Sequence, residues 1–147
     1  MAVEIERKFL VANTDYKAMA SHSEPICQGY LSVDPDRTVR VRIKGEHGFL
    51  TVKSRTHGLT RGEWEYEIPV GDARELLALC PNPLEKRRWY VEYEGHVWEV
   101  DEFGGSHAGL CVAEVELQSA DETVTVPGFI GREVTGDPRY YNSSLSQ

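Results

Sequence analysis

Val3-Glu4-Ile5-Glu6-Arg7-Lys8-Phe9-Leu10-Val11 sets Val3, Ile5, Phe9 and Val11 on one side of an extended chain and Glu4, Glu6 and Lys8 on the other. A period of two marks a strand with chemically distinct faces. The alternation returns along the chain. Thr38–Lys44 sets Val39, Val41 and Ile43 against Arg40, Arg42 and Lys44, and residues 49–55 place Lys53 opposite the Leu50 and Val52 face. Farther on, Glu63, Glu65 and Glu67 alternate with Trp64, Tyr66 and Ile68, and residues 85–93 alternate Lys86 and Arg88 with Arg87 and Trp89. His96–Phe103 sets Glu99 and Asp101 against Trp98 and Val100, and residues 110–118 set Glu114 and Glu116 against Ala113, Val115 and Leu117.

With one more strand near residues 27–33, the pattern predicts eight strands. Gly45-Glu46-His47-Gly48 and Glu94-Gly95 read as hairpin turns, and residues 57–62 are rich in turn formers. Three short helices are expected. The first lies near residues 15–21, and the second covers 73–79, with Asp72 as N-cap and Pro81 blocking continuation. The third falls in the tail, residues 134–145, after Gly136-Asp137-Pro138. The fold class expected is α+β, mainly β.

The chain has 147 residues with 40% hydrophobic and 27% charged, enough apolar material for one core and too much for a disordered chain. One domain over residues 1–147 is expected. The net charge of −8 argues against broad nucleic-acid binding, which draws on basic side chains displacing counterions from phosphates. No apolar run approaches the roughly 20 residues of a membrane helix. The start, Met1-Ala2-Val3-Glu4-Ile5-Glu6-Arg7-Lys8, carries charges where a secretory signal needs an apolar region, so the expected compartment is the cytoplasm. Cys27, Cys80 and Cys111 are odd in number and widely spaced, suggesting neither a disulfide framework nor a metal site. The histidines show none of the pairings that make zinc sites. A homodimer is left open.

An antiparallel sheet with one apolar and one solvated face explains any single strand. The set of strands is more telling, because each polar row is sorted by sign. The rows at 63–67, 99–101 and 114–116 are acidic, those at 40–44 and 86–88 are basic, and the first strand is mixed. Like charges two residues apart lie about 7 Å from each other. They repel by about 2 kcal/mol at an effective dielectric near 20, and by about 0.6 kcal/mol in water. Solvated rows are therefore cheap, whereas enclosed rows need counter-charges. Closing the strands into a barrel would enclose them, and acidic pairs would then hold divalent metal while basic pairs hold an anion. Polyphosphate bound to metal meets both needs. Alternation alone leaves the solvated sandwich open.

Glu4-Ile5-Glu6-Arg7-Lys8 resembles the Glu-x-Glu-x-Lys signature of the CYTH, or triphosphate tunnel metalloenzyme, family. Later segments follow in the family's order: Gln28-Gly29-Tyr30-Leu31, Val39-Arg40-Val41-Arg42, Leu50-Thr51-Val52-Lys53, Glu63-Trp64-Glu65-Tyr66-Glu67, Lys86-Arg87-Arg88, Glu99-Val100-Asp101 and Glu114-Val115-Glu116. The ending from Val134 to Asn142 resembles the family's C-terminal helical plug.

The resemblance implies an eight-stranded antiparallel β-barrel whose charged bore binds triphosphate with Mg²⁺ or Mn²⁺. It implies phosphate contacts from Lys8, Arg40, Arg42, Lys53, Lys86 and Arg88. Glu4, Glu6, Glu114 and Glu116 would be the leading metal ligands, with Glu63, Glu65, Glu99 and Asp101 as second-site ligands or water-positioning groups. Tyr30 and Lys8 would help activate the attacking water. The activity expected is hydrolysis of inorganic triphosphate to phosphate and pyrophosphate. Organic triphosphatases, adenylyl cyclases and noncatalytic polyphosphate binders are the alternatives on the same tunnel. Replacing Glu114 or Glu116 by Gln is expected to abolish metal-dependent turnover, and relief of like-charge repulsion is expected to favour the empty protein. Glu67 and Trp64, Trp89 and Trp98 are left outside the site, the tryptophans as outer-face packing.

Overall fold

The alternating stretches all become strands, and their charged rows turn inward. A computed structural model describes residues 3–147. Met1 and Ala2, the first residues of the charged start, lie outside the described residues. The strands are β1 (Val3–Val11), β2 (His22–Ser32), β3 (Thr38–Lys44), β4 (His47–Lys53), β5 (Thr60–Ile68), β6 (Leu84–Tyr93), β7 (His96–Phe103), β8 (Cys111–Glu116) and β9 (Ile130–Glu133). Three short helices join them: α1 (Tyr16–Met19), α2 (Val70–Leu77) and α3 (Asn142–Leu145). Two single 3₁₀ turns lie at Gly105–His107 and Pro138–Tyr140.

The strand order β5-β4-β3-β2-β6-β7-β8-β1 is antiparallel throughout and closes by a β1–β5 pairing, giving a barrel of eight strands. β1 makes the closure with its first residues, Val3 to Ile5 against Gly62 to Thr60. Its last residues leave β5 and pair with β9 instead, Phe9 with Glu133 and Val11 with Ile130. β9 thus covers the edge of β1 where the seam opens. It is four residues long and carries no alternation, so it has no local signature of a strand.

Two other boundaries differ from expectation. β2 begins five residues earlier than its apolar run, because residues 22–28 pair with β6. Pro25 is tolerated there since β3 joins β2 only from Ile26, so the missing N–H faces no strand. α2 starts at Val70 with Pro69 at its N-cap, and its first bond runs from the Ala73 N–H to the Pro69 carbonyl, 3.0 Å. Asp72 lies in the first turn, favourable beside the positive helix end, and does not cap.

The apolar faces point outward and are covered. Phe9, Trp98, Val100, Ala113 and Val115 pack with Tyr16 of α1 and with Leu117 and Phe129 of the β8–β9 connection. Trp98 lies 5.5 Å from the Phe9 ring and Trp89 6.0 Å from the Tyr16 ring, so both tryptophans are outer-face packing. α2 lays Ala73 and Leu77 on Val41. Burying a leucine such as Leu77 contributes about 1.5–3 kcal/mol. Glycines in the sheet permit this close approach: a Cβ on Gly48 would come 2.7 Å from the Ala73 Cβ, and one on Gly29 2.6 Å from the Cys80 Cβ. The barrel therefore carries its hydrophobic packing outside and its charge inside.

One end of the bore is different. Leu84, Phe103 and Val112 continue the inward rows of Lys86, Asp101 and Glu114, and Leu145 of α3 packs against them. The C-terminal segment is seated there, with the His107 Nε2 hydrogen-bonded to the Leu145 carbonyl at 2.8 Å. The expected terminal helix is present as a single turn, because Pro138 starts a separate 3₁₀ turn ahead of it.

Candidate active site

The inward rows enclose a cavity of about 290 Å³. Every residue expected at the site lines it except Asp101. The lining carries eight Lys or Arg and seven Glu side chains, so half of the chain's 16 basic residues gather in a protein of net charge −8. That concentration needs a cause, since burying cations without partners is expensive.

On the β3–β5 wall, Arg42 Nη2 lies 3.1 Å and Arg40 Nη2 3.5 Å from Glu65 Oε1, which also accepts from the Thr51 hydroxyl at 2.6 Å. These contacts hold the Glu65 carboxyl below its usual range despite burial, with the Thr51 bond foremost. Burial pushes the Arg42 guanidinium down to about 10, helped by Arg40 and Arg88. The Nε hydrogens of Arg40 and Arg42 are buried with no protein partner. Two buried donors left open beside excess positive charge are groups that an anion would satisfy.

On the β6–β7 wall, Arg88 grips Asp101 with Nε at 2.8 Å and Nη2 at 3.0 Å and reaches Glu99 with Nη1 at 2.9 Å. Lys86 Nζ lies 2.8 Å from Asp101 Oδ2. Asp101 is 2% exposed. Burial opposes its charge, but Arg88 and Lys86 bring its carboxyl down to about 2. Sequence reasoning grouped Asp101 with the second-site metal ligands or water-positioning groups. It stays on the inward row, but both of its oxygens are committed to Arg88 and Lys86, and it fixes two cations there without lining the cavity itself. Burial lowers Lys86 itself to about 7 despite Asp101.

The acidic residues meet on β1, β8 and β5. Register places Glu6 opposite Glu116, Lys8 opposite Glu114, and Glu114 opposite Glu99. Lys8 Nζ lies 3.6 Å from Glu114 Oε1, and Lys53 Nζ lies 3.0 Å from Glu4 and 3.4 Å from Glu63. Burial raises the Glu6 carboxyl well above the usual range, as do the charges of Glu114 and Glu4 and a hydrogen bond to Glu114. The partner moves the other way: burial opposes the charge of Glu114, but Lys8 and the Glu6 bond hold it well below that range. Glu63 repeats the pattern, raised to about 7 by burial and by Glu4, while burial opposes but Lys53 and Glu63 lower Glu4. In each pair one carboxyl is pushed up and its partner is held down. Burial also raises Glu116.

Among the described residues no three acidic, His or Cys side chains already converge as a metal cage. The donor chemistry nevertheless fits a hard divalent cation: burial and neighbouring carboxylates disfavour the charge on Glu6 and Glu63, which a cation would offset, and carboxylate oxygens suit Mg²⁺ or Mn²⁺. Lys8, 3.6 Å away, gives the Glu114 charge a partner, which weighs against the expectation that removing that charge favours the empty protein. Lys8 makes that charge favourable, and Glu6 is the carboxyl whose ionisation is disfavoured.

Tyr30 is 8% exposed, lines the cavity and sits opposite Arg40. Burial opposes the charge of Lys8, but Glu114, Glu6 and Tyr30 raise it above the usual lysine value. Glu67 is exposed and pairs with His47 at 3.1 Å, outside the cavity. Sequence reasoning missed Lys44, Arg61, Thr38 and Asn142, all in the lining. Lys44 extends the Arg40–Arg42 row and Arg61 the Glu63–Glu65 row, so parity could have found both. Asn142 lies in the tail, where no periodicity points.

A closed antiparallel barrel with a charged bore, anion-ready arginines on one wall and crowded carboxylates on another defines a class of phosphate-handling tunnel proteins. The CYTH domain model matches residues 2–141, and the chain belongs to that family. It is 50% identical over 147 residues to the inorganic triphosphatase of Acetivibrio thermocellus, covering 99% of this chain and 94% of that one. It is 38% identical over 148 residues to the inorganic triphosphatase of Nitrosomonas europaea, covering 97% and 96%. A crystal structure of an inorganic triphosphatase superposes with a TM-score of 0.69 at 34% identity, over 99% of this chain and 95% of that one.

Proposed function

We propose that this protein hydrolyses inorganic triphosphate to phosphate and pyrophosphate with Mg²⁺ or Mn²⁺. The observation that carries the reading is the meeting in one bore of the open guanidinium donors of Arg40 and Arg42 with the crowded carboxylates of β1, β5, β7 and β8. Its similarity to two inorganic triphosphatases supports the same substrate. Lys8, Arg40, Arg42, Lys53, Lys86 and Arg88 bind phosphoryl oxygens. Their side chains are positioned around the cavity before substrate arrives, so they stabilise charge on the transferring group with little reorganisation.

Glu4, Glu6, Glu114 and Glu116 would hold the metal, with Glu63, Glu65 and Glu99 as further ligands or water-positioning groups. A divalent ion there supplies a lower pKa for the attacking water and offsets phosphate charge. Lys8 and Tyr30 orient that water and take part in moving its proton. Asp101 is a positioning residue, acting through Lys86 and Arg88.

We also place the protein in the cytoplasm as a single domain. Free Cys27, Cys80 and Cys111 support a reducing compartment. No described helix is long and apolar enough to cross a membrane. The test is to incubate the pure protein with tripolyphosphate and Mg²⁺ or Mn²⁺ and identify products by chromatography. Equal phosphate and pyrophosphate is expected, and unchanged tripolyphosphate under both metals refutes the activity.

A further inference from the structure

The C-terminal segment lines the bore with Thr135, Gly136, Tyr141, Asn142 and Ser143, and the Asn142 amide is gripped there by two side chains of the barrel wall. Asn142 Oδ1 accepts from Lys86 Nζ at 3.0 Å and from Gln28 Nε2 at 2.9 Å. Two N–H donors, from Lys86 and from Gln28, converge on this one atom, which is therefore the amide oxygen. Gln28 is fully buried and holds the same atom from a second direction. The Nδ2 group is thereby fixed on the other branch, on a side chain that lines the cavity. Among the described residues no acceptor takes its hydrogens. Its cationic neighbours in the tail contact, Lys86 and Lys8, only donate; Lys8 already gives a hydrogen bond to the Tyr140 carbonyl at 3.1 Å.

We propose that Asn142 is a substrate-contacting residue whose Nδ2 hydrogens bind oxygens of the terminal phosphoryl group of a triphosphate chain; this rests on the triphosphate reading above. A neutral donor suits that place, since it adds a contact without a further buried charge. The group it meets is a chain end because Leu145, seated on Leu84, Phe103 and Val112, stops the bore beyond it. A substituent on the triphosphate must then leave toward the opposite mouth, where Lys44 lies.

The test measures tripolyphosphate binding by calorimetry in EDTA, where no turnover occurs, together with kcat and KM under Mg²⁺. Asn142→Ala should weaken binding at least about tenfold, as expected for losing a hydrogen bond to a charged group. Its KM should rise correspondingly while kcat stays within about threefold. Asn142→Asp keeps an acceptor for Lys86 and Gln28 and loses the donor, so it too should weaken binding about tenfold or more. His107→Ala loosens the tail at the Leu145 carbonyl without touching the amide and should bind within about twofold of wild type.

Wild-type-like binding by either Asn142 variant overturns the assignment. So does a His107→Ala loss equal to that of Asn142→Ala, which would assign the effect to tail docking. If wild-type protein binds no tripolyphosphate, the triphosphate reading itself falls and this one with it.

Discussion

Asp101→Asn removes a fully buried carboxylate that holds two buried cations, Lys86 and Arg88, leaving size and shape in place. Lys86 would keep only the Asn142 carbonyl among its close contacts, and Arg88 only Glu99. The drop of the Asp101 carboxyl from 3.8 to about 2 converts, at about 1.4 kcal/mol per tenfold change, to about 2.5 kcal/mol. Breaking a buried ion pair by removing one partner costs about 3–5 kcal/mol. Together these place the loss near 3 kcal/mol at pH 7, or roughly 10 °C in Tm for a chain of this size. The assay is urea unfolding without metal or phosphate across pH. A carboxyl depressed in the folded state stabilises fully above its unfolded value of 3.8 and loses that contribution as pH falls through its folded value, about 2. The gap between wild type and variant should therefore be full at pH 5 and about half by pH 3. A gap below about 1 kcal/mol at pH 7, or one that does not shrink toward pH 3, refutes the anchoring role.

Glu6→Gln should leave the metal-free protein as stable as wild type or more so at neutral pH, because it removes a charge that burial and Glu114 disfavour. Glu114→Gln should lower its Tm by breaking the Lys8 contact; opposite signs in thermal unfolding check the division of roles between the two carboxyls. Both variants should lose Mg²⁺-dependent turnover, and added Mg²⁺ should raise Tm in wild type more than in either. Tyr30→Phe and Lys8→Ala should each lower kcat roughly hundredfold, the scale of a lost proton-transfer group. Unchanged kcat for tripolyphosphate in either variant removes that residue from water activation.

The parity of the strands exposed most of the site, because a closed barrel turns a period of two into an inside and an outside. Glu4, Glu6 and Lys8 could be read from nine residues for this reason, as could the basic row on β3. Parity could not say that the rows end in Leu84, Phe103 and Val112, which seat the tail at one end. It also could not separate Asp101 from Glu99, which share a face and differ in depth. β9 escaped because its order comes from the open edge of β1 rather than from its own residues. Asn142 escaped for a related reason: its role depends on where a one-turn helix docks, a tertiary fact with no local signature.

The most direct test of the account is kcat/KM for tripolyphosphate, ATP and thiamine triphosphate under one metal condition, with chromatography of the ATP products. The bore offers cations for a phosphate chain, and only interactions stronger in the transition state raise this ratio. Tripolyphosphate should give the highest value, and ATP should yield no cyclic AMP. A higher kcat/KM for either organic triphosphate, or cyclic AMP as the main product of ATP, would contradict it.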